Sequence, residues 1–416
     1  MTPWTQLPPH LRWLDEECRR LLAFGARAAH PLGGAAWLGP TGEPAVDEPV
    51  RTWITARTVH VQSLGHLLGV PGCGPRADAA LAGLTGVLRD AEHGGWHPSV
   101  AADGTPEGGK AAYDHAFVVL AASSAAVAGR PGARALLDEA LAVLDERFWD
   151  DAAGLCADRW DTAWTALDDY RGVNANMHAV EALMAAADAT GDPRWRGRAL
   201  RIATSVVGWA RATSWRIPEH FDPQWRPLPE HHADQPDHPF QPYGATVGHA
   251  LEWARLLLHL EAGLAAAGPA PASGDLPGGE LLPAARALYA QAVEDGWHAD
   301  GASGFVYTTD WDGKPVVRDR MHWVAAEAIG AAAALHRRTG EDRYAEDYRR
   351  WWDWTAEHLL DLRDGSWVHQ LDATNTPTGT VWPGKPDLYH AVQATLVPRL
   401  PLAPGLAAGL RAGLLA

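Results

Sequence analysis

Apolar residues recur along the chain mostly at three- and four-residue spacing, in alanine- and leucine-rich stretches separated by short breaks rich in Gly, Pro and Asp. Such spacing puts the apolar positions on one face of a helix, and alternating runs of the β type are scarce. The pattern predicts twelve helices, over 9–29, 51–69, 77–90, 110–128, 132–147, 173–190, 194–213, 244–267, 280–294, 320–339, 342–360 and 386–397. The breaks carry the residues that stop helices and begin turns.

A weak repeat pairs these helices. After each odd-numbered one comes an aromatic residue in a Gly- or Asp-rich loop: Trp37, Trp96, Trp149, Phe221, Trp297 and Trp367, at intervals of 59, 53, 72, 76 and 70 residues. Each interval spans about one helix pair, so the chain reads as six helical hairpins. Six hairpins closing on themselves make an all-α (α/α)6 barrel, one helix of each pair lining the centre and the other forming the outer wall; the alternative is an open superhelical array. A Pro/Gly/Ala-rich segment at 267–279 could pass for a linker. The repeat continues across it and the last pair is needed to close the ring, so one catalytic domain over 1–416 is expected.

Composition narrows the function. Apolar residues make up 47% of the 416, enough for a large core, and the formal charge of -16 with no Lys/Arg-rich run argues against a nucleic-acid or anionic-membrane surface. Three widely spaced cysteines, Cys18, Cys73 and Cys156, form neither a disulfide framework nor a CxxC metal site. With no signal-peptide pattern at the N-terminus and no apolar run long enough for a membrane span, a cytoplasmic location is expected. The 21 tryptophans outnumber the 6 phenylalanines; most suit helix packing, and some suit the apolar face of a sugar.

The polar residues of interest cluster near the beginnings of the even-numbered helices. They are Arg57 and His60 in TWITARTVH, Tyr113 and His115 in AAYDHAF, Asn176, His178 and Glu181 in NANMHAVEA, His249 and Glu252 in GHALEW, His322, Trp323 and Glu327 in MHWVAAEA, and His390 and Gln393 in DLYHAVQA. Residues three apart share a helix face, so Arg57/His60, His178/Glu181, His249/Glu252 and His390/Gln393 converge if the even helices line the barrel. One such residue alone is more often a satisfied buried polar group; recurrence at one phase favours a site for the set. Metal motifs of the HExxH or paired ExxH kind are missing, as are GxGxxG, GxxxxGK[ST] and GxSxG, so neither a metal nor a nucleotide cofactor is expected. Two imidazoles on opposite sides of a bound sugar can open its ring and move a proton beside the carbonyl, and an arginine can stabilise the enediolate. A glycosidase would need two flanking carboxylates, for which Glu252 and Glu327 are candidates, but would leave the histidines unexplained.

The chain also resembles the N-acylglucosamine 2-epimerase superfamily, more closely its mannose isomerase and sulfoquinovose isomerase branch. The resemblance runs nearly end to end, through ARTVH at 56–60, YDHAFVVLAAS at 113–123, RGVNANMHAVEA at 171–182, RPLPEHHADQPDHPFQPYGATVGHALEWARLL at 226–257, RMHWVAAEAI at 320–329 and VWPGKPDLYHAVQA at 381–394. It implies the (α/α)6 barrel and makes His249 and His390 the acid/base pair. On that reading His390 carries a proton from C2 to C1 of an open-chain aldose through a cis-enediol. His249 assists ring opening and proton movement at oxygen, with Glu252 orienting or polarising it, and Arg57 binds the enediolate oxygen. His178, Tyr113, Asn176 and Trp382 position the sugar, Trp323 supplies a ring face, and Glu327 and Gln393 stand between substrate contact and a buried supporting role. The chain departs from the branch at Arg57-Thr58-Val59-His60, where RMTH is common, and at His369-Gln370-Leu371, where HEL is common. The second departure removes a carboxylate and bears on substrate preference if Gln370 reaches the cavity.

The resemblance favours an aldose-ketose isomerase interconverting mannose and fructose, with lyxose/xylulose or a 6-sulfo sugar as related substrates. A sugar 2-epimerase is the near alternative, an (α/α)6 glycoside hydrolase or a non-catalytic carbohydrate-binding protein a remoter one. The expected partner is a free monosaccharide, with no nucleic acid or membrane, and the protein a monomer or homodimer. The places of His60, His115 and His322 depend on helix phase.

Overall fold

Helices that are buried on almost every side alternate with helices that are apolar along one stripe. The computed structural model describes residues 2–267 and 280–416, so most of the segment read as an inter-repeat connection lies outside the described residues. The nearly fully buried helices are α2 (Thr52–Leu67), α4 (Ala112–Val127), α6 (Val173–Thr190), α8 (Val247–Ala266), α10 (His322–Thr339) and α12 (Tyr389–Leu396). Their partners are α1 (Pro8–Phe24), α3 (Cys73–Thr85), α5 (Ala133–Val143), α7 (Arg194–Ala212), α9 (Leu281–Gly296) and α11 (Asp342–His358). In α11 the buried residues are Tyr344, Tyr348, Trp351, Trp352, Trp354 and Thr355, a stripe that faces inward while the arginines between them face water. A thirteenth helix, α13 (Leu406–Arg411), follows.

The inner helices pack in sequence order, α2 on α4, α4 on α6, α6 on α8, α8 on α10, α10 on α12, and α12 back on α2. This is the closed (α/α)6 barrel. The boundaries move modestly from the sequence reading: α1 stops at Phe24 before a 3-10 turn at Gly25–Arg27, and α3 starts at Cys73, just after Gly72 at φ +86°.

Two-residue strands set the mouth of the barrel. Just before five inner helices, the chain pairs antiparallel with the loop that follows the next outer helix: Val50–Arg51 with Ser99–Val100, Lys110–Ala111 with Arg159–Trp160, Arg171–Gly172 with His220–Phe221, Ala245–Thr246 with Thr308–Thr309, and Arg320–Met321 with Gln370–Leu371. At the sixth position the Lys385 N–H donates to Leu38 O at 2.8 Å, which joins the last repeat to the first. The aromatic marks sit in these loops. Trp96, Phe221 and Trp367 are fully buried, and the indole N–H groups of Trp96 and Trp367 donate to Leu84 O and Glu17 Oε1.

Candidate active site

Because each inner helix begins at the same end of the barrel, its first two turns face one central cavity. Arg57, Tyr113, His178, His249, Glu252, Trp323, Trp382 and His390, all expected from the sequence, line it, and so does His322. The roof comes from loops, with Trp382 stacked on Trp37 at 6.4 Å and Phe240 packed edge-on against Trp53, Tyr113 and Trp382.

His249 and His390 both pack against Trp323, whose ring lies 5.3 Å from the first and 5.7 Å from the second, tilted 36° to each. Each imidazole is held from behind by a carboxylate. His249 Nδ1 lies 2.9 Å from Glu219 Oε1, and His390 Nδ1 lies 2.8 Å from Glu327 Oε1. A carboxylate oxygen accepts here, so Nδ1 carries the proton and Nε2 keeps a lone pair. The carboxylate behind His249 is therefore Glu219, not Glu252 as the i,i+3 spacing suggested. Glu252 starts on the same helix face but turns toward Arg255 and His178, at 3.4 and 3.9 Å.

The charge at the floor is organised around two guanidinium groups. Arg57 Nη1 is paired with Asp387 Oδ2, and its Nη2 donates to Tyr113 Oη at 3.1 Å. Arg57 holds the Asp387 carboxyl far below the usual carboxylate range although burial alone would raise it. Arg255 donates through Nε to Glu327 Oε2 at 2.7 Å and lies 3.4 Å from Glu252 and 3.7 Å from Glu181. Burial is the largest influence on both glutamates, and it raises them. For Glu327 the adjoining Arg255 and His390 outweigh it and keep the carboxylate ionised. For Glu252, burial and the neighbouring Glu327 charge hold the carboxyl well above its ordinary range, and its Oε2 has no partner. Burial, then Arg57, pushes His178 well below the ordinary imidazole value, and its Nδ1 is also unpartnered.

Two groups of side chains come close enough to hold a metal ion, His178–Glu181–Glu252 and Glu252–Glu327–His390, each with ligand atoms within 4.8 Å of one another. The Arg255 guanidinium already lies against all three carboxylates, so a cation added there meets a resident positive charge.

Several expected residues are placed elsewhere. Asn176 is fully buried and spends its amide on the backbone, bonding Cys156 N, Cys156 O and Gly172 O; the cavity is lined by Asn174 instead. Glu327 is a layer behind His390, and Gln393 donates to Glu181 Oε1 at 3.0 Å. His60 bonds Ser124 Oγ toward the far end of the barrel, and His115 is held by Ala111 O and Trp96 N. Gln370 does not line the cavity either. It donates to Asp319 and Thr380 while its Oε1 accepts from the backbone N–H groups of Val381 and Trp382. Its effect on the cavity passes through the placement of Trp382.

Residues 33–394 match the family model of N-acylglucosamine 2-epimerase (GlcNAc 2-epimerase). The chain belongs to that family. Among its relatives, the D-mannose isomerase of Thermobifida fusca is 54% identical over 413 residues, 99% of each chain. The D-mannose isomerase of Pseudomonas cannabina pv. alisalensis is 47% identical, over 98% of this chain and 97% of that one. A crystal structure of D-mannose isomerase superposes with a TM-score of 0.84 at 26% identity, covering 92% of this chain and 96% of that one. Cellobiose 2-epimerase from Spirochaeta thermophila DSM 6192 shares the fold, with a TM-score of 0.78 at 23% identity over 94% and 97% of the two chains.

In this member of the GlcNAc 2-epimerase family, sequence reading missed Glu219, Arg255, Tyr307, His369 and Asp387. Arg255 was within reach, because it lies three residues after Glu252, on one helix face. Glu219 and Asp387 come from loops, where no periodicity marks an inward side chain.

Proposed function

We propose that the protein is an aldose-ketose isomerase interconverting D-mannose and D-fructose through a cis-enediol, with no metal or other cofactor. The observation that carries this reading is the pair of carboxylate-backed imidazoles, His249 and His390, which both pack against Trp323 and line one central cavity. The full-length likeness to D-mannose isomerases supports the choice of sugar.

In the proposed reaction His390 Nε2 takes the C2 proton of the open-chain aldose, and Glu327 stabilises the imidazolium. The electron pair passes into a C1–C2 double bond and the carbonyl oxygen becomes an enediolate oxygen, met by the Arg57 guanidinium. His390 then returns the proton to C1 on the same face, while His249 moves the oxygen-bound proton from O2 to O1. Glu252, kept neutral by burial, is a donor toward the sugar, and His178 and Tyr113 fix its position. The proposed location of the protein is the cytoplasm, where three free, buried cysteines fit a reducing compartment.

The test is NMR in heavy water with free aldoses and ketoses. Mannose giving mainly fructose, with His390→Ala slower by about 10³-fold or more, is the expected result. Deuterated glucose as the main early product would instead make the protein a 2-epimerase. A His390→Ala variant with intact turnover would remove the mechanism altogether.

A further inference from the structure

Glu181 is a member of the recurring polar set to which the proposed reaction gives no task. It sits on α6 three residues beyond His178, one turn deeper in the barrel, and is not among the residues lining the sugar cavity. It faces a separate pocket at the far end, alongside His60, Ser124, Arg255 and His259. It cannot touch the sugar from there.

Its two carboxylate oxygens are instead divided between two residues of α12. Oε2 accepts from the Tyr389 hydroxyl, and Oε1 accepts from Gln393 Nε2 at 3.0 Å. These residues flank His390, at the positions before it and three after it. The Tyr389 ring packs edge-on against the His390 ring with centroids 4.6 Å apart. At eight residues α12 is too short to be stable by itself, so tertiary ties set its position. Asp387 holds its beginning through the Tyr389 N–H at 2.9 Å, and Glu181 holds its inner side.

We propose that Glu181 is a positioning residue that fixes His390 from the far side of the barrel by clamping Tyr389 and Gln393. The proposal rests on the reading of His390 as the carrier of the carbon-bound proton. A misplacement of a proton-transfer group by about 1 Å costs on the order of 10²-fold in rate, so the clamp acts on kcat rather than on sugar binding.

The chemistry of the clamp separates geometry from charge. Gln393 Oε1 is buried and unpartnered, so its amide can turn over. In Glu181→Gln the new amide oxygen accepts from Tyr389 and the new N–H donates to Gln393 Oε1, which preserves both arms without the negative charge. Glu181→Ala loses both arms.

The experiment measures kcat, KM and Tm for the parent, Glu181→Ala and Glu181→Gln with mannose, and records the imidazole N–H resonance that disappears in His390→Ala. The expected result is a fall of about 10- to 100-fold in kcat for Glu181→Ala with KM within about twofold, and Glu181→Gln within about threefold of the parent. The His390 Nδ1–H signal should stay sharp in Glu181→Gln and broaden in Glu181→Ala. Unchanged kcat in Glu181→Ala, or Glu181→Gln as impaired as Glu181→Ala, would overturn the clamp. If Glu181→Ala does not fold, Tyr389→Phe, which cuts one arm, should lower kcat about three- to tenfold at constant KM, and an unchanged kcat would overturn the proposal. A parent protein inactive on every aldose removes the isomerase reading, and the imidazole signal then decides the clamp alone: broadening in Glu181→Ala upholds it and a sharp signal overturns it.

Discussion

Asp114 on α4 is a buried carboxyl that forms no salt bridge among the described residues, and burial raises its pKa to about 7 against the lowering pull of Arg159 and the Trp53 backbone. Asp387, equally buried but paired with Arg57, moves the other way. The contrast shows that the partner, not the depth, decides the charge of a carboxylate in this barrel. Asp114 has a consequence for stability. The unfolded chain releases this proton near 3.8 and the folded protein only near 7, so the folded state holds the extra proton in between. Stability therefore falls as pH rises through that window. Asp114→Asn removes the dependence, and its advantage over the parent should grow by about 1–3 kcal/mol between pH 5 and pH 8.5, read from urea unfolding at the two values. Residue by residue, His249 and His390 were legible because a helix puts every third or fourth side chain on one face. Glu219, which sets the tautomer of His249, was not, since a loop has no such rule.

At the scale of the helix, the site depends on how closely α8 and α10 approach. A Cβ added at Gly248 would lie 2.3 Å from Trp323 Cζ3 and 2.8 Å from Val324 Cγ2. Glycine inside a helix costs about 1 kcal/mol relative to alanine, and overpacking costs about 1–3 kcal/mol. These effects oppose one another in Gly248→Ala, so Tm should shift by only a few degrees. The Trp323 ring that packs against both histidines must still move, and kcat should fall by about 10- to 100-fold. Thermal melts and steady-state rates on one preparation check both statements. The twelve main helices were readable from apolar spacing and their ends from Gly, Pro and Asp. The two-residue strands were not, because two residues carry no period, and α13, six residues long, was missed for the same reason.

At the scale of the whole molecule, the decisive contact is the seam between the last repeat and the first. Beyond its backbone bond to Leu38, Lys385 buries its ammonium against Asp361 Oδ2 at 2.5 Å and Gly365 O at 2.8 Å. Lys385→Met leaves the carboxylate unpaired. The Asp361 side chain keeps 20% exposure, so the cost should be about 1–3 kcal/mol, below that of a fully buried pair, and should appear as a lower denaturation midpoint. Faster amide hydrogen exchange in α1 and α12 would locate the loss at the seam. The repeat of aromatic marks foretold six hairpins, but the seam itself rests on backbone groups that no residue type announces.

The same seam sets a timetable for synthesis. A ribosome makes Trp382, Lys385, Asp387 and His390 after eleven of the twelve inner and outer helices have been synthesised. Until then the emerging chain is a crescent whose two edges, α2 and α10, are surfaces the finished barrel buries on almost every side and lack the helix that belongs between them. A translational pause at that point leaves a particle prone to self-association rather than a slow enzyme.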